Sequence, residues 1–212
     1  GADYEVLFGF ARLAAKGNTS AVVWSGEGML TLAPVSFFAI DLGATQRLRM
    51  TTDYSTVSCE GAACEGWVTG RYARARLSLG AAGFFVSGSF KRELQEVDVK
   101  DRPYVDENTS LTGAPGGDTL TEKALVGGYS WSPLWSAGVA VVETTMQNFG
   151  TANLTSVAYA RYGSKHDWRV TFGGGTYRST TQETSPTVFL SLEWIGKHSY
   201  ELRSEEHTSE LH

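Results

Sequence analysis

The chain has 212 residues, 42% hydrophobic and 12% aromatic, with 24 glycines and only 19% charged residues. That aromatic content argues against disorder, and the glycine content argues against long helices. The net charge of −5 comes without any basic run, which points away from nucleic acid, and no apolar stretch is long enough for a transmembrane helix. What dominates instead is period-two alternation. It predicts ten β-strands, near residues 4–14, 20–32, 36–54, 67–79, 84–97, 123–132, 135–147, 153–162, 168–179 and 187–195. In 36–54, Phe38, Ile40, Leu42, Leu48 and Met50 alternate with Asp41, Arg47, Arg49 and Asp53. The phase does not slip through Gly43-Ala44, so one long strand is preferred to a hidden turn. Residues 84–95 repeat the pattern, with Phe84, Val86, Phe90 and Leu94 opposing Lys91, Glu93 and Gln95. Trp168, Val170 and Phe172 alternate with Arg169, and Val188, Leu190, Leu192 and Trp194 alternate with Ser191 and Glu193.

The predicted connections fall into two alternating sets. Short turns are expected at Ala33-Pro34, 80–83, Ser132-Pro133-Leu134 and 163–167; longer ones are expected at 15–19, 55–66, 98–122, 148–152 and 180–186. Strand parity then puts Cys59 and Cys64 at the end opposite Pro34, Pro133 and Lys165. Aromatics gather at the short-turn ends: Phe37 and Phe38, Phe84 and Phe85, Trp131 and Trp135, Tyr162 and Trp168, and Trp194. Over residues 4–195 this combination resembles bacterial outer-membrane β-barrel proteins. Lys16-Gly17-Asn18-Thr19-Ser20 is faintly similar to the salt-stress-induced outer-membrane protein family, which carries over no functional residue.

The resemblance implies an all-β fold, an antiparallel up-and-down transmembrane β-barrel of about ten strands. It implies a Gram-negative outer membrane, outer-membrane lipid and small solutes as partners, and no nucleic acid; it leaves the oligomeric state open. Phe38, Ile40, Leu42, Val86, Phe90, Val170, Leu190 and Leu192 are then expected to face lipid. Asp41, Arg47, Arg49, Arg74, Arg76, Lys91, Glu93, Arg169 and Glu193 are expected to face the lumen. There they would line a charged pore or fill a narrow barrel with compensating pairs.

Cys59 and Cys64, close together in a loop, suit a disulfide in an oxidising compartment, and no further ligand stands near them for a metal. The acidic stretch 98–122 reads as a solvated loop in preference to a divalent-cation site, so no metal or cofactor is expected. The glycines at 173–175 precede no helix and are read as close strand packing or narrowing of the lumen. His166 and His198 have no acidic partner that can be placed beside them, so no catalytic residue is expected.

Residues 203–211 read RSEEHTSEL, which resembles the in-frame translation of a sequencing adapter. Residues 1–202 are therefore expected to form the barrel domain and 203–212 a non-native tail with few contacts. The natural chain is expected to continue beyond Leu202, which makes ten strands a lower bound. The leading expectation is a small pore, transporter or structural barrel of the outer membrane. The alternatives are a soluble secreted β-barrel around an apolar ligand and, behind it, a membrane-embedded lipid-modifying enzyme.

Overall fold

Ten strands of the computed structural model form one antiparallel sheet whose spatial order is their chain order. They are β1 (Phe10–Thr19), β2 (Val23–Val35), β3 (Phe38–Met50), β4 (Glu65–Ala81), β5 (Phe84–Val97), β8 (Gly117–Ser130), β9 (Trp135–Met146), β10 (Ala152–Gly163), β11 (Trp168–Ser179) and β12 (Ser185–Trp194). Between β5 and β8, β6 (Tyr104–Asp106) and β7 (Leu111–Gly113) make a separate small hairpin. The structure describes residues 9–19, 23–50, 59, 61–163, 168–180 and 184–194. Asp53, Lys165, His166, His198 and the expected tail 203–212 lie outside these residues. The fold is thus all-β and up-and-down. Among the described residues β1 and β12 are its two edges and are not paired with each other.

β3 runs through Gly43-Ala44 in one register, from Phe38↔Leu77 to Met50↔Glu65, so no turn interrupts it. Parity places the connections before Cys64 and around 98–116 at one end, and the turns at 36–37, 82–83 and 131–134 at the other.

Three expectations about the connections need correction. Lys16, Gly17, Asn18 and Thr19 are not a turn: they close β1, and Lys16 stands opposite Glu27 with its Nζ 3.9 Å from the carboxylate. Ala33-Pro34 is not the second turn either. It lies in β2 at a register shift, where the missing proline N–H costs no ladder bond, and the chain reverses at 36–37. The stretch 98–122 is no solvated loop. Tyr104, Val105, Asp106 and Leu111 are each 1% exposed or less, and β8 starts at Gly117 instead of residue 123.

The hairpin shows how the sheet is curved. Its residues meet Arg47 of β3, Gln95 of β5 and Asn153 of β10, strands far apart in the sheet order, so the sheet curls around it. The apolar core sits there too, inside the curl at the long-connection end: Ala63, Val68, Val97, Tyr104, Leu111, Leu120 and Met146. Farther along the inner face, aromatic rings lie flat over glycines. A Cβ at Gly43 would run into the ring of Tyr72, and one at Gly173 into the ring of Phe189. Within the run 173–175, Gly173 and Gly175 thereby serve close packing inside the curl, while Gly174 faces outward.

The outer face is different. Ile40, Leu42, Leu77, Val86, Phe90, Leu125, Val139, Phe172, Leu190 and Leu192 are all exposed there, while Phe38 and Val170 share the face half-exposed. Charged side chains on that face of the described strands are Glu65, Arg71, Arg92, Glu96, Lys123, Glu143 and Arg178. Every one lies in the half of its strand nearer the long connections. The other half carries none.

Candidate functional site

Period-two geometry projects alternate side chains of β3, β4 and β5 into the curl. The sequence expectation placed charges there, and the structure brings most of them together. Arg47, Arg49, Asp41 and Glu93 are buried, and Lys91 and Arg74 are half-buried beside them. Arg76, more exposed, reaches back to Asp41: its Nη2 donates to Oδ1 at 2.8 Å and its Nε lies 2.8 Å from Oδ2. Thr31 donates to the same carboxylate at 2.7 Å. Arg169 and Glu193 are not part of this group. They pair with each other at 2.9 Å across β11 and β12, largely in solvent.

Arg47 is the centre of the arrangement. Its Nη1 donates to Asp106 Oδ2 at 3.0 Å and to Glu107 Oε1 at 2.9 Å, and its Nη2 stands 3.7 Å from Glu93 Oε1. One strand cation thereby holds two carboxylates of the β6–β7 turn. Arg49 holds backbone instead, donating to the carbonyl oxygens of Val105 at 2.7 Å and Glu65 at 2.9 Å. Gln95 donates to Asp106 at 2.9 Å and accepts from the Tyr104 hydroxyl at 2.6 Å. Asp106 also accepts the backbone N–H groups of Asn108 and Thr109, which closes the turn locally. Beside the hairpin, Cys59 and Cys64 are joined by a disulfide with S–S 1.93 Å. Its loop is tied on through Val105, which donates to the Ala63 carbonyl at 3.0 Å.

The sequence reading missed several members of this site. Gln95, Tyr72 and Glu27 share the alternation phase of their strands and could have been found from it. Tyr104, Asp106 and Glu107 could not, because only the folding back of the hairpin brings them in. Tyr72 hydrogen-bonds Glu27 through its hydroxyl and carries Lys91 over its ring, 4.8 Å from the centroid. Below the hairpin these groups leave a polar cavity of about 210 Å³. Among the described residues no group of three or more His, Cys, Asp or Glu side chains is placed to hold a metal.

The hairpin carboxylates titrate in opposite directions. Burial works to raise the Asp106 carboxyl, but Arg47 and the hydrogen bonds from Gln95 and Thr109 outweigh it and hold it below its ordinary value. Burial, together with the neighbouring Asp106 charge, pushes Glu107 above its ordinary value against the pull of Arg47. Asp106 therefore adds stability that is lost as pH falls through its lowered value. Glu107 keeps a proton that the unfolded chain has already lost, so stability falls as pH rises from the ordinary carboxylate range through its raised value. Unfolding midpoints measured from strongly acidic to neutral pH should show both slopes. Asp106→Asn should abolish the acid-side slope and Glu107→Gln the other.

The rim at the short-turn end is an arc of aromatic rings. Phe84 packs on Tyr129 at 4.7 Å between centroids, Trp131 on Trp135 at 6.3 Å, Trp135 on Tyr162 at 4.5 Å, and Tyr162 on Trp168 at 5.4 Å. A second, smaller aromatic level went unread in the sequence. Trp24 and Trp67 both pair with Leu48, at the other end of the outer face. On β4, the outer-face Arg71 stands between Trp67 and the short-turn rim. No protein-family model, no curated protein and no solved structure matches the chain.

Proposed function

We propose that the chain is an integral β-barrel protein of a bacterial outer membrane, a narrow porin-like barrel whose polar interior is stopped at one end by the β6–β7 hairpin. One observation carries this reading: the half of the outer face nearer the short turns is apolar and uncharged and ends in an arc of aromatic rings, as the lipid-facing band of such barrels does at its interface. Water gives no reason to expose Leu125, Val139 and Phe172 together while burying Arg47, Arg49 and Asp41. Lipid does, because it rewards an apolar exterior and leaves the interior free to be polar. The soluble alternative requires Phe38, Ile40, Val86 and Phe90 inside, and they lie on the outer face.

Inside, the cations and carboxylates mostly compensate one another, and the hairpin narrows the long-connection end. The supported role is passage of small polar solutes at most, or a structural barrel. The test is cheap. Refolded protein should remain dispersed only in detergent or lipid, and it should migrate on a gel at a different position unboiled than boiled. A monodisperse species in plain buffer, with no heat-dependent shift, would overturn the reading.

A further inference from the structure

The polar cavity of about 210 Å³ below the hairpin has an unbalanced wall. Four cations line it, Lys16, Arg47, Arg74 and Lys91, against two carboxylates, Glu27 and Glu93. Both carboxylates are already engaged. Glu27 takes the Tyr72 hydroxyl and stands 3.9 Å from Lys16. Glu93 is paired with Lys91 and stands 3.7 Å from Arg47.

The unfilled hydrogen-bonding capacity is on the cations. The Arg47 side chain is only 6% exposed, and the hairpin carboxylates use its Nη1, yet its Nε and Nη2 are buried without a hydrogen-bond partner among the described residues. The Arg74 Nε is buried in the same condition, with its guanidinium 5.6 Å over the Tyr72 ring. Among the described residues Arg74 has no carboxylate at ion-pair distance. Buried donors are almost always satisfied, so two such guanidinium groups on one cavity wall call for an acceptor that the described residues do not supply.

We infer that this cavity is a binding site for a small oxyanion, an inorganic phosphate or the carboxylate of a short organic acid, held by Arg74 and Arg47 with Lys16 at its open side. The size argues for a small ligand, since pockets for drug-sized molecules begin at about 300 Å³. Lys16 marks the open side because its side chain is 57% exposed. The inference concerns the inner face alone and does not depend on what surrounds the outer one.

The test is the unfolding midpoint of the full chain in phosphate, in succinate and in chloride at matched ionic strength. Phosphate, succinate or both should raise the midpoint above chloride in a saturable way. Arg74→Gln should weaken that response about tenfold, the loss expected for one charge-assisted hydrogen bond. Arg71→Gln, an exposed arginine of the outer face, should leave it unchanged. If only phosphate acts, the site takes phosphate; if only succinate acts, it takes organic acids. If neither acts, or if Arg74→Gln responds like the parent, the inference is wrong. Should Arg74→Gln fail to fold, Lys16→Gln takes its place, and an unchanged response there equally overturns it.

Discussion

Leu125→Arg is expected to destabilise the protein by about 2–4 kcal/mol when unfolding is measured in lipid vesicles, the cost of an arginine near the bilayer midplane. Leu125 is 57% exposed and lies near the middle of β8, on the uncharged side of Lys123 and five residues from the strand's end at Ser130. The same substitution at Gln46 should cost only about 0–1 kcal/mol, because Gln46 stands one step below the level of Trp24 and Trp67. The contrast between the two positions carries the argument. Both side chains are exposed, so in water each change would fall within about 0.5 kcal/mol of neutral, and depth would have no meaning. A medium that penalises charge by depth separates them. Equal costs at the two positions would remove the membrane from the explanation of the outer face.

Much of this architecture was legible because a strand with one buried and one outward face writes its register into the sequence. A slip by one residue would move Asp41, Arg47 and Arg49 outward and Ile40, Leu42 and Leu48 inward, so β3 could be read as a single strand. The ends were less legible. Lys16-Gly17-Asn18-Thr19 has the composition of a turn, yet Lys16 finds Glu27 across the ladder and β1 continues to Thr19. Local preference lost to a cross-strand pair. Pro34 likewise reads as a turn and sits at a strand irregularity. The hairpin was illegible for a different reason. The acidic composition of 98–122 fits a solvated loop, while the groups that bury it, Arg47 and Asn153, lie 59 and 44 residues from their partners. No local pattern announces contacts of that range. The charges of the inner face were readable as a set, but the Tyr104, Asp106 and Glu107 groups that meet them emerged only with the fold.

Arg47→Ala is the second large effect expected, a loss of about 3–5 kcal/mol, because it strips the partner from buried carboxylates. Asp106 and Glu107 both hydrogen-bond Arg47 Nη1, and their side chains are 1% and 6% exposed. Without the guanidinium they can be satisfied only by taking up protons or by reaching water. The hairpin must then pull out of the curl, although Arg49 and Gln95 still hold it through Val105 and Asp106. The predicted outcome is therefore local. Brief proteolysis of folded protein should cut Arg47→Ala within 98–116 while leaving the parent intact, and the strands on either side should stay paired. Arg169→Ala is the matched control, since its partner Glu193 is 55% exposed and an exposed pair contributes at most about 1 kcal/mol. Replacing Arg47, Asp106 and Glu107 together by apolar residues of similar volume should recover much of the loss, because no charge is then left buried alone. If the triple replacement is as unstable as Arg47→Ala, the cost lies in packing and not in stranded charge.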